Sequence, residues 1–100
     1  MENKQADGKE FVISTAEKAI SNNMISQNPL VIIDAITIDN KETEQFQYSM
    51  LYKDDIENIT VLDGEKAIPI YGEKGKNGLV LITRKQKAQK HLEYYLKKNE

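Results

Sequence analysis

Two apolar runs constrain this chain more than any other feature. Leu30-Val31-Ile32-Ile33 and Leu79-Val80-Leu81-Ile82-Thr83 are continuous, rich in β-branched residues and short. Runs of this length fall below that of an ordinary helix. Lacking alternating polar residues, they also have no solvated face, so each is predicted to be a central strand buried on both sides. Asn28-Pro29 breaks the chain before the first run, because the residue preceding proline avoids the helical region. Gly75 and Gly78 punctuate a tight turn before the second. A chain of 100 residues makes one domain. Its 39% apolar content, with no tryptophan, suits one thin core rather than a large pocket.

The remaining elements follow from local pattern. Residues 1–10 are polar with an Asp7-Gly8 turn signal and are expected to be a flexible segment. Phe11-Val12-Ile13 reads as an edge strand, and Ser14-Thr15-Ala16-Glu17 as a capping box opening a short helix with Ala16, Ile20 and Met24 on one stripe. Asp34-Ala35 is a turn, and Ile36 and Ile38 alternate with polar neighbours as a second strand or a continuation of the first. Asp39 to Tyr52 carries both a helix-start signal and a period-two aromatic pattern, and the reading adopted is a helix over about 41–50. Ile59-Thr60-Val61-Leu62 is a third strand. Asp63 is predicted to cap a short helix through Tyr71, irregular or partly 3₁₀ because Pro69 removes a ladder hydrogen bond, with Gly72 closing it. Ala88, Leu92, Tyr95 and Leu96, with His91 beside them, predict an amphipathic helix over 86–100. The fold class is therefore α+β: a small mixed sheet of about four strands with short helices.

No apolar run approaches the ~20 residues that span a bilayer. Met1 to Gln5 lacks the apolar segment of a secretory signal, which leaves a cytoplasmic chain and a chain with its leader removed as the two readings. The absence of cysteine excludes thiol catalysis, thiolate zinc sites and disulfides. Charge is uneven: 14 acids and 6 bases precede Lys74, and 2 acids and 8 bases follow from there. A basic end can meet an anionic partner, which makes a nucleic-acid-binding module the alternative reading; a solvated face against the acidic body is the plainer one.

No constellation of catalytic residues emerges, so the chain is read as a non-enzyme without cofactor or metal. His91 is the only histidine and has no triad partner in the sequence. The acids Asp34, Asp39, Asp54, Asp55 and Glu57 fit no calcium-loop spacing. Gly72, Gly75 and Gly78, with Lys74 and Lys76, imitate a phosphate cradle, but such a loop leads from strand into helix so that helix amides face the anion. Here the order is helix into strand, which leaves a structural turn.

Four segments carry a family resemblance. Asn28 to Asp34 resembles the opening strand of the plug domain in TonB-dependent outer-membrane receptors of the SusC/RagA type, where glycine usually follows the aspartate; here it is Ala35. Asp55 to Leu62 resembles the next signature strand. Ala67-Ile68-Pro69-Ile70-Tyr71-Gly72 resembles the short helix ending in Tyr-Gly, with Pro69 unusual. Gly75-Lys76-Asn77-Gly78 and the strand to Lys85 resemble the closing turn and strand. Order and spacing agree over more than half the chain. The resemblance implies a freestanding or excised plug-like module over 11–85, periplasmic or associated with the outer membrane. Its implied work is nutrient uptake or envelope signalling through a protein partner or parent chain, with a glycan as a further ligand class. The family-motif residues it marks are Asp34, Tyr71, Gly72, Gly75, Asn77 and Gly78. One hundred residues hold no barrel of even eight strands, so transport itself is not expected of them.

Overall fold

A computed structural model describes residues 6–86. The order is α1 (Gly8–Ser21), β1 (Leu30–Ile33), β2 (Ile36–Ile38), α2 (Lys41–Ser49), a 3₁₀ turn (Lys53–Asp55), β3 (Ile56–Leu62), α3 (Gly64–Tyr71), a second 3₁₀ turn (Gly72–Gly75) and β4 (Leu79–Arg84). The four strands form one sheet in the order β2-β1-β4-β3. β1 runs parallel to β4, while β2 and β3 are antiparallel to their neighbours. The fold is α+β with a mixed four-stranded sheet, and both apolar runs are its central strands. The amphipathic helix expected over 86–100 falls outside the described residues, apart from its first position.

Alternation along the central strands supplies two cores. Ile33, Val80 and Ile82 pack on one face with Val12 and Ala19 of α1, Ile25 and Leu51. Ile32 and Leu79 pack on the other with Ala67 of α3, flanked by Leu30, Leu62, Tyr71 and Leu81. α1 and α3 thus cover opposite faces, and this is why neither central strand shows a polar side.

The N-terminal reading requires correction. Phe11-Val12-Ile13 is not an edge strand; it lies inside α1, which begins at Gly8, within the segment expected to be flexible. Val12 and Ala19, with half-buried Ala16 and Ile20, make the helical stripe that faces the sheet. Ser14 is an exposed mid-helix residue, so Ser14 and Glu17 form no capping box. Asp7 occupies the cap position, but its carboxylate instead accepts from the Lys53 amide at 2.8 Å. Met24 lies beyond the helix and is exposed. A long-range contact sets the start of α1: the Gly8 amide donates to the Leu51 carbonyl at 2.8 Å, and a Cβ at Gly8 would run into the Leu51 side chain.

The helix expected over about 41–50 is present as α2, capped by the Asn40 side chain accepting from the Thr43 amide at 2.8 Å. Asp63 caps α3 in the same way, accepting from the Lys66 amide at 2.9 Å. Pro69 lies inside α3, and the chain tightens into 3₁₀ geometry immediately after Tyr71. Gly72 closes α3 with φ +69° and ψ −154°. That is not the left-handed helical position expected from the sequence but an extended, positive-φ region that only glycine occupies readily.

Candidate functional site

The family-motif residues fall at two ends of the sheet. Tyr71, Gly72, Gly75, Asn77 and Gly78 gather where β1 and β4 begin. Asp34 lies where both strands end, and the structure does not bring it to the others.

The first end is a backbone seam. Gly75 is buried against Ala67, which a Cβ at Gly75 would approach to 2.9 Å. The Asn77 carbonyl accepts from the Ser26 amide at 2.9 Å, and the Gly78 carbonyl accepts from the Leu30 amide at 3.0 Å. Gly78 has φ +91°, and a Cβ there would meet the Ile25 side chain. These glycines permit close approach of three chain segments. Their amides present no converging cradle: Gly78 N–H is already donated to the Gly75 carbonyl at 2.9 Å. Tyr71 packs its ring into the α3-side core.

The second end carries a buried polar cluster. Asp34 and Ala35 take φ of +50° and +69°, the geometry of a two-residue hairpin turn between β1 and β2. The Asp34 amide donates to the Ile82 carbonyl at 2.9 Å, continuing the parallel ladder. At the next rung the Asp34 side chain replaces the backbone, and Oδ1 accepts from the Arg84 amide at 2.8 Å. Its Oδ2 stands 3.5 Å from the Arg84 Nε. Arg84 is only 1% exposed, and its Nη2 donates to the Oε1 of Gln47, itself buried, at 2.6 Å. Burial pushes the Arg84 guanidinium down from its usual value, and the charges of Asp34 and Asp55 oppose that shift. Three elements meet here: the hairpin turn, the end of β4 and the buried face of α2.

This arrangement holds structure together and leaves no reactive group exposed. Both carboxylate oxygens of Asp34 face Arg84, so the group is committed to a cation and an amide rather than poised as a base. Sequence reasoning marked Asp34 but gave Arg84 and Gln47 no role. Arg84 is the last residue of β4 and is buried where its neighbour Lys85 is exposed, so a cation closing an apolar run is the signal that marks it. Gln47 has no comparable signal, being one polar residue among many in α2.

An open cleft of about 230 Å³ lies between α1 and α2, lined by Lys9, Lys41, Glu44, Gln45 and Tyr48. Lys9 Nζ sits 5.6 Å from the Tyr48 ring centre and 3.9 Å from Glu44. Burial, and secondarily the Glu44 charge, push the Tyr48 hydroxyl up to about 12. The cleft is small and walled by flexible charged tips, unlike the apolar, preformed sites that enclose small ligands. Among the described residues, no group of three His, Cys, Asp or Glu side chains is placed to hold a metal. No helix among them is long and apolar enough to cross a membrane.

No family model and no solved structure matches the chain. It is 40% identical over 63 residues to the TonB-dependent receptor SusC of Bacteroides thetaiotaomicron, covering 61% of this chain and 6% of the receptor. It is 37% identical over 60 residues to a TonB-dependent receptor of Formosa agariphila, covering 60% of this chain and 6% of that receptor. The chain thus spans about 6% of the length of these relatives, and its similarity is to TonB-dependent receptors of the SusC type.

Proposed function

We propose that this chain is a plug-like, non-catalytic module of the bacterial cell envelope, acting in nutrient uptake or envelope signalling through contacts with a protein partner or a parent receptor chain. The similarity to two TonB-dependent receptors over about 60% of the chain carries this reading. The fold is compatible with it: the four segments on which the resemblance rests supply three strands of the sheet and the α3 helix upon it. The module runs over residues 11–85, together with the first turn of α1. On this reading Asp34, Tyr71, Gly72, Gly75, Asn77 and Gly78 are structural motif residues that shape the surface offered to the partner, and the periplasm or the outer membrane is where it works.

The nucleic-acid alternative gains no support from the described residues. Of the basic residues after Glu73, Arg84 is buried within the protein and unavailable to phosphate.

The test is location and company. A tagged product of the native gene should fractionate with the cell envelope and cross-link to a receptor β-barrel, in cis or in trans. A product confined to the cytosol, with no envelope cross-link, overturns the reading.

A further inference from the structure

The sheet has two unequal edges. β2, at one, is three residues long and is followed directly by α2, which lies against it. β3, at the other, is seven residues long, and among the described residues no strand pairs with its outer side. The ladder dictates which groups face outward. Gly78 and Ile82 present their carbonyls to β1, so by alternation Leu79, Leu81 and Thr83 turn their backbone groups to β3. Their partners Leu62, Thr60 and Asn58 are satisfied by β4. Ile59 and Val61 lie between them and direct N–H and C=O away from the sheet.

Exposed edges are usually blunted by lysine, proline, a bulge or brevity. From Asn58 to Leu62 this edge has no charge and no proline, and its one irregularity sits at the start, between Ile56 and Asn58. We propose that the outer edge of β3 accepts an extended peptide as a fifth strand, pairing with the backbone of Ile59 and Val61. The occupant has an uncharged β-branched centre and basic residues at its ends.

Charge selects this occupant over a second copy of the chain. Exposed Glu57 precedes the uncharged stretch, and Asp63, followed by exposed Glu65, comes directly after it. An antiparallel pair of β3 strands centred on Thr60 places Glu57 opposite Asp63 of the other copy at both ends, and like charges directly opposed are destabilising. A strand carrying lysines at those positions meets opposite charge instead. The inference does not depend on the plug reading, since it uses only strand order, register and charge.

The test uses the full chain and the synthetic peptide Lys-Val-Thr-Val-Thr-Val-Lys, blocked at both ends. At a concentration ten times its Kd, amide exchange at Ile59 and Val61 slows about tenfold, while Thr60, already bonded to β4, is unchanged. Val61→Pro removes an outward donor without touching the β4 ladder and abolishes the effect. Should that variant not fold, the same peptide with alternate amides N-methylated serves as the control and must fail to protect. The proposal is overturned by unchanged exchange at both residues, by equal protection from the glutamate-flanked peptide, or by self-association that protects the same amides with no peptide present.

Discussion

One carboxylate, that of Asp34, holds Arg84 twice: Oδ1 accepts its main-chain amide at 2.8 Å, and Oδ2 lies 3.5 Å from its guanidinium Nε. The contact ties the β1–β2 turn to the end of β4 and keeps a buried cation compensated. Removing one partner of a buried pair leaves the other charged and dry, which costs about 3–5 kcal/mol. Asp34→Ala is therefore expected to lower unfolding stability by roughly that amount in urea denaturation, in the case where Arg84 stays inside. Asp34→Asn keeps an oxygen for the amide and should lose less. The triple change Asp34→Asn, Arg84→Met and Gln47→Leu leaves no buried charge and should come out nearer neutral than Asp34→Ala alone.

Ala35 holds φ +69° with an ordinary side chain. That conformation costs an L-residue about 1–2 kcal/mol relative to glycine. Ala35→Gly is expected to raise the urea midpoint, with a net gain of about 0.5–1 kcal/mol after the added freedom of the unfolded chain is subtracted. An unchanged or lowered midpoint would mean that the turn is not strained at this position.

Gly72 and Gly78 separate two causes of glycine dependence. Both have positive φ, but a Cβ at Gly72 meets nothing within 4 Å, whereas at Gly78 it strikes Ile25. Gly72→Ala should cost about 1–3 kcal/mol from backbone strain alone. Gly78→Ala should cost more, and Ile25→Ala combined with it should recover part of the difference. Thermal denaturation of the three variants distinguishes the two effects.

Tyr48 gives the protein an alkaline limit. Its hydroxyl is pushed up to about 12 by burial first and by Glu44 second, from 10.0 in the unfolded chain. The folded state thus favours the neutral phenol. Below pH 10 both states are neutral and the residue adds no pH dependence. Between pH 10 and about 12 the unfolded chain gives up the proton first, so stability falls as pH rises. Tyr48→Phe should flatten that fall, as followed by denaturant midpoints across the range.

The sequence was most informative where local chemistry and tertiary packing agree. The runs at Leu30 and Leu79 lack a polar face because α1 and α3 cover opposite sides of the sheet, so their burial was readable directly. The Asp63 cap was readable because a short polar side chain serves an amide three residues away, and the Asp34-Ala35 turn because aspartate just after an apolar strand tolerates positive φ. Phe11-Val12-Ile13 misled because three adjacent apolar residues resemble a strand, while the helix containing them is registered by Gly8 against Leu51, a contact that spacing does not encode. Gln47 was illegible for a related reason: its value lies in reaching Arg84 from another element, and one glutamine in a polar helix looks like any other.

The place of β4 also has a consequence in time. Among the described residues it is the last strand in the chain, yet it lies between β1 and β3, which do not pair with each other. Until Leu79–Arg84 has left the ribosome, the β1–β2 hairpin and β3 have no common neighbour, and the two cores have no shared wall. Sheet assembly must therefore wait for this strand rather than grow as synthesis proceeds, and contacts spanning so much of the chain close slowly. A nascent chain halted before Leu79 exposes Ile32, Ile33 and Val61 together, a state suited to capture by a chaperone.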